Sequence, residues 1–121
     1  MKNKYGAKKA IVDGITFDSI AESKYYEQLK WLKQAKQIKD FELQPKFTLQ
    51  EAFKKNGKTF RKIDYKADFK IYNLDGTIEI VDIKGKITKE FAIKRKLFER
   101  KYLDSLTLLK YDKYKGFIEV N

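Results

Sequence analysis

Apolar and polar positions along this chain fall into short runs with two different periods. Ala10-Ile11-Val12 and Ile15-Thr16-Phe17 flank Asp13-Gly14, the pattern of a small β-hairpin. From residue 19 to about 36 the period lengthens. Ala21, Tyr25, Leu29 and Leu32 recur at three- and four-residue steps, which predicts a helix. Phe41-Glu42-Leu43-Gln44 is expected to be extended, because Pro45 disfavours helix at the residue before it. Strands are predicted over 46–53, 63–72 and 77–84, with turns at Asn56-Gly57 and Asp75-Gly76. Thr88 is placed to cap a second helix that runs to about residue 102. Leu106-Thr107-Leu108-Leu109 reads as a buried strand and Phe117-Ile118-Glu119-Val120 as a short last one. Helix, antiparallel strands, helix, strand is the order of an α/β domain, a mixed central sheet flanked by helices. A single domain over 10–121 is expected, after a basic, loose arm over 1–9.

Composition narrows the chemistry. In 121 residues, 28 Lys and Arg face 17 Asp and Glu, a net charge of +11. That excess favours an anionic partner, most simply nucleic acid. The chain has no cysteine and no histidine. Disulfides, thiolate metal sites, Ser-His triads and His-ligated zinc are thereby excluded. Any metal must sit on Asp, Glu and carbonyl oxygens, which suits Mg²⁺ or Mn²⁺. No apolar run approaches the ~20 residues of a membrane span. The N-terminal segment has charge without a hydrophobic stretch, so no leader peptide and no membrane partner are expected, and an intracellular location is.

The candidate chemistry lies in two neighbouring segments. In the strand over 77–84, side chains alternate faces, so Asp82 and Lys84 point one way and Val81 and Ile83 the other. A carboxylate and an ammonium at i, i+2 on a strand end can share one phosphate. The acid binds metal; the lysine orients or deprotonates the attacking water, or stabilises charge developing on phosphorus. An ordinary surface ion pair reads the same way. Asp68 separates the two. With a three-residue loop, Leu74-Asp75-Gly76 and Gly76 left-handed, Asn73 pairs with Thr77 and Asp68 falls opposite Asp82. Like charges opposed across a ladder cost roughly 0.2–1 kcal/mol, and a divalent cation between them would reverse that sign. A two-residue Asp75-Gly76 loop would instead put the acids on opposite faces.

Two further residues have two readings each. Ser19-x-x-Glu22 fits a capping box, in which Glu22 bonds the Ser19 amide. The helical wheel also puts Glu22 beside Leu29, at the border of the apolar arc, where it can look into a cleft. In the second helix Phe91, Ile93, Leu97, Phe98 and Tyr102 share an arc, and Lys94 and Lys101 fall inside it. Such lysines snorkel to solvent. Lys94, one turn from the helix start, is also within reach of the Lys84 site. Tyr25, Tyr26 and Trp31 are candidates for a dimer face or for core.

Taken together, these residues resemble the PD-(D/E)xK nuclease superfamily. They most resemble a phage-encoded family grouped with Holliday junction resolvases and long filed as a domain of unknown function. The matching pieces are Val12-Asp13-Gly14, Phe17-Asp18-Ser19-x-x-Glu22, Gln44-Pro45-x-Phe47, Tyr65-x-Ala67-Asp68-Phe69, Asp82-x-Lys84-Gly85, and Lys94 with Lys96-Leu97-Phe98. Ala67-Asp68 stands where the superfamily's Pro-Asp would. The resemblance implies a restriction-endonuclease-like fold, with Glu22, Asp68 and Asp82 as metal-side carboxylates and Lys84 as the catalytic lysine. On this reading the Ile83 carbonyl is a further ligand, Lys94 contacts the phosphate, and Mg²⁺ or Mn²⁺ is the cofactor. It implies a Mg²⁺-dependent DNA endonuclease on branched DNA, acting as a homodimer because a junction needs two symmetric cuts. If phage-encoded, the protein would work in the cytoplasm of a bacterial host. The rivals are a nuclease or nickase on linear DNA, and a non-catalytic basic DNA-binding or phage interaction protein that keeps the fold.

Overall fold

The computed structural model describes residues 8–120. Residues 1–7 of the expected basic arm therefore lie outside the described residues. Two hydroxyls start the two helices. Ser19 Oγ accepts from the Glu22 amide at 3.1 Å at the head of α1 (Ile20–Gln34). Thr88 Oγ1 accepts from the Phe91 amide at 3.1 Å at the head of α2 (Lys89–Lys101). Helix α1 stops two residues earlier than its pattern suggests. Lys36 turns left-handed (φ 60°), and the Gln37 amide reaches back to the Leu32 carbonyl at 2.8 Å. That closure satisfies carbonyls the helix would otherwise leave unpaired.

The strands are β1 (Ala10–Val12), β2 (Ile15–Phe17), β3 (Asp40–Leu43), β4 (Lys46–Gln50), β5 (Phe53–Lys55), β6 (Lys58–Phe60), β7 (Ile63–Lys66), β8 (Phe69–Tyr72), β9 (Ile78–Ile83), β10 (Ser105–Asp112) and β11 (Gly116–Val120). Five form the central sheet in the order β11-β10-β9-β8-β3. Only β9 and β10 are parallel, joined by α2, so the sheet is mixed as expected. The chain is thus an α/β domain with a mixed multi-strand sheet and two helices.

Alternation along β9 divides the core. Val81 and Ile83 join Phe69, Tyr25, Leu29 and Phe17 on the α1 side. Ile80 joins Leu108, Phe98, Phe91, Phe47 and Tyr65 on the other side, under α2 and the β4–β7 ladder. Phe69 and Phe98 are fully buried, and each such side chain is worth about 1.5–3 kcal/mol of burial. Tyr25 and Tyr26 are buried on the α1 side, which removes them from any dimer face, whereas Trp31 is 65% exposed. No helix among the described residues is long and apolar enough to cross a membrane.

Two of the long predicted strands are broken. The 46–53 run divides into β4 and β5, because the β4–β7 register shifts between Thr48 and Gln50. The 63–72 run divides at Ala67-Asp68, where the chain changes partners. Strand β7 pairs with β4, whereas β8 pairs with β3 and β9. Backbone bonds from Ala67 to the Pro45 carbonyl (3.0 Å) and from Gln44 to the Asp68 carbonyl (2.9 Å) hold that crossing.

Candidate metal and phosphate site

The turn between β8 and β9 decides whether the two aspartates meet. Gly76 is left-handed (φ 89°), its amide bonds the Asn73 carbonyl at 3.1 Å, and the Asn73 amide bonds the Thr77 carbonyl at 2.9 Å. This is the longer of the two turns the sequence permits. Pairing then runs from Tyr72 with Ile78 back to Phe69 with Val81, and one residue further Asp68 stands opposite Asp82. Asp68 Oδ2 accepts from the Ile83 amide at 2.8 Å, which ties the acid to the end of β9.

Asp82 is 2% exposed, on the α2 side of the sheet. Two groups compensate its burial. The Tyr65 hydroxyl donates to Asp82 Oδ2 at 2.5 Å, and Lys84 Nζ stands 3.4 Å from the same oxygen. The Lys84 ammonium also lies 4.2 Å from the centre of the Phe91 ring. Asp82 and Lys84 therefore share a face, as the alternation requires. Tyr65 was not a candidate in the sequence, where a tyrosine in a strand reads as packing. The available signal was indirect: a buried carboxylate needs a donor, and Tyr65 lies in the same short segment as Asp68.

The acids act on one another. Burial, then hydrogen bonding with Asp82, then the charges of Asp82 and Glu22 push Asp68 from 3.8 up to about 9, against the pull of the Ile83 amide. Glu22 is half-buried at the first turn of α1. Burial, then the charges of Asp18 and Asp82, push it from 4.5 up to about 7, although Ser19 and the Asp18 backbone hydrogen-bond to it. Glu22 and Asp68 wall a cavity of about 100 Å³ together with Gln44 and Phe69. The cap bond is made by the Ser19 hydroxyl and the Glu22 amide, and the Glu22 side chain lines the cavity with Asp68. Burial, then the Asp82 charge, hold the Tyr65 phenol protonated, so it remains a donor.

Among the described residues, no three acids are arranged together as a ready-made metal site. The donor chemistry nevertheless fits a hard divalent cation. Asp68 and Asp82 are an oxygen pair whose mutual repulsion is relieved by a proton, and a cation would relieve it in the same place. Glu22 lines the same cavity as Asp68, and Ile83 is held beside Asp68 through its amide.

Beyond Lys84 the site opens into a cavity of about 440 Å³ between β4–β7 and α2. Lys46, Lys66, Lys84 and Lys94 wall it, with Asp64 and Glu90. Lys94 thus reaches the cavity that Lys84 lines, and pairs with Glu90 at 3.4 Å. Its neighbours on the wheel part company: Phe91 and Phe98 are buried, but Ile93 is 61% exposed, outside the expected arc. Lys101 leaves the site altogether, donating to the Thr48 carbonyl at 2.7 Å.

No curated protein and no solved structure matches the chain. A family model described as protein of unknown function (DUF1064) matches residues 2–116, nearly the whole length, and the chain belongs to that family.

Proposed function

We propose that this chain is a Mg²⁺- or Mn²⁺-dependent endodeoxyribonuclease with a restriction-endonuclease-like fold. The observation that carries the reading is the pair of opposed acids, Asp68 and Asp82, with Lys84 on the same strand end. Lys84 also lines a cavity walled by four lysines, and Asp68 lines the smaller cavity with Glu22. Asp68, Asp82 and the Ile83 carbonyl would hold the cation, with Glu22 completing the oxygen set. The bound cation would polarise the scissile phosphate and acidify its water. Lys84 orients the attacking water and stabilises charge developing on phosphorus. Water adds to phosphorus as the bond to the leaving sugar oxygen breaks. Lys94, Lys46 and Lys66 hold the phosphate backbone, and Tyr65 keeps Asp82 in place. Branched DNA is the proposed substrate and a homodimer the proposed working unit, both from the sequence resemblance.

The test is a labelled four-way junction, linear duplex and single strand, each with Mg²⁺, Mn²⁺ or EDTA. Metal-dependent cutting of the junction is expected, and cutting of linear duplex alone would move the substrate to the linear class. One observation favours a second reading, a non-catalytic DNA-binding protein: among the described residues, no three acids are pre-arranged as a metal site. Tight binding to DNA with no cleavage in either metal would establish it.

A further inference from the structure

The β5–β6 hairpin takes no part in the site described above, and the fold gives it little to do. Every residue from 51 to 62 is exposed. The hairpin is a sheet of its own, and none of its residues enters either core cluster. A lone two-stranded hairpin is marginal in water at best. This one closes through a tight turn, with Asn56 (φ 52°) and Gly57 (φ 76°) both left-handed.

Its side chains are sorted by face. Phe53 pairs with Phe60, Lys54 with Thr59 and Lys55 with Lys58. Alternation puts the Phe pair and the Lys55–Lys58 pair on one face. The rings stack in the open, with centroids 4.8 Å apart, planes 12° apart, and exposures of 44% and 42%. Lys55 and Lys58 are like charges directly opposed, an arrangement that costs the hairpin stability. From 53 to 63 the chain has no acid, and among the described residues no salt bridge involves Lys54, Lys55, Lys58 or Arg61. A ribbon with exposed stacked rings and uncompensated cations at its tip is unfavourable alone and is satisfied by a polyanion that also offers apolar surface.

We infer that the β5–β6 hairpin is a DNA-contacting arm that lies in a groove of the duplex beside the scissile phosphate. The inference deepens the nuclease reading and rests on it for the identity of the polyanion. The dimensions agree. A two-stranded ribbon fits a major groove ~12 Å wide. The arm continues the β4–β7 ribbon, whose other end carries Lys46 and Lys66 at the lysine-walled cavity. Eight residues separate Lys66 from Lys58, about 26 Å at ~3.3 Å per residue, or roughly eight base pairs of ~3.4 Å. Lys55, Lys58, Lys54 and Arg61 then reach phosphates on both sides of the groove. Phe53 and Phe60 meet sugars and base edges.

Two double variants of the full chain test this: Lys55→Gln with Lys58→Gln, and Phe53→Ser with Phe60→Ser. Affinity for a labelled 30-base-pair duplex is measured by fluorescence anisotropy in EDTA, across a salt series. All four positions are exposed and outside both core clusters, so melting temperatures should change little. The lysine variant should lose about 1.8 from the log–log salt slope, at ~0.9 per phosphate contact. The phenylalanine variant should bind about ten-fold more weakly at unchanged slope. With Mg²⁺, both should need more DNA than the wild type for half-maximal cutting. Unchanged affinity and slope in both variants, beside a wild type that binds and cuts, overturns the arm alone. A wild type that binds no DNA overturns the nuclease reading and the arm with it. If the Phe variant loses self-association in sedimentation while keeping its DNA affinity, the arm belongs to a second copy of the chain and the inference is wrong.

Discussion

Replacing Asp68 by Asn should flatten the pH dependence of stability in metal-free protein. Asp68 is pushed from 3.8 up to about 9 by burial, by hydrogen bonding with Asp82 and by the Asp82 charge. A carboxyl raised by folding holds its proton more tightly in the folded state. Its stabilising effect is therefore complete below the unfolded value and is lost as pH climbs towards 9. Inside that window the folded state carries one extra proton, and stability falls by about 1.4 kcal/mol per pH unit. Glu22, raised to about 7, adds a similar slope only below pH 7. Between pH 7.0 and 8.5 Asp68 acts alone of the two, and the wild type should lose about 2 kcal/mol. In Asp68→Asn no such proton exists, and the Asn carbonyl can still accept from the Ile83 amide. Urea unfolding followed by circular dichroism in EDTA reads the difference. With a slope of ~1.5 kcal/mol/M, the wild-type midpoint should drop by about 1.3 M over that range while the variant's stays put. Mg²⁺ at a hundred times its Kd should then return about 2.7 kcal/mol to the wild type and far less to the variant. Parallel midpoints from pH 7.0 to 8.5 would refute the raised Asp68 carboxyl, and equal responses to Mg²⁺ would refute the acid pair as the cation site.

Other perturbations separate catalysis, positioning and packing. Lys84→Ala should cut DNA at less than about a tenth of the wild-type rate while binding it nearly as well, since one positioned ammonium matters to the transition state and many cations share binding; cleavage and anisotropy assays read the two effects. Tyr65→Phe removes the donor to buried Asp82 and should cost about 1–3 kcal/mol of stability by urea titration. The same variant should need more Mg²⁺ for half-maximal cleavage, whereas a purely structural Tyr65 would leave that requirement unchanged. Phe98→Ala should cost about 3–5 kcal/mol in the same titration, because Phe98 is fully buried against Phe47 and Tyr102.

Much of the site could be read from local rules. Ser19 and Thr88 announced both helices, and the β9 alternation put Asp82 and Lys84 together. The Gly76 turn was legible as one of two lengths, and only the fold chose between them. What stayed hidden depends on which strand pairs with which. Nothing in the 63–72 run marks the exchange of partners at Ala67, because both halves alternate as one strand would. The Tyr65–Asp82 bond is a contact between different sheets, so no spacing along the chain encodes it. Ile93 misleads for a related reason: a helical wheel gives the direction of the apolar face, not how far the neighbouring sheet extends beneath it.

The exchange of partners at Ala67 also joins the ribbon to the acid pair. Strands β7 and β8 are one uninterrupted stretch of chain, with Ala67 almost wholly buried where it passes from one sheet to the other. On one side the ribbon runs out to the exposed Asn56-Gly57 tip; on the other, the very next residue is Asp68. Backbone bonds pin both Ala67 and Asp68 to the segment around Pro45. The position of the ribbon's root at Ala67 and that of the acid facing Asp82 are therefore set by the same pair of backbone bonds.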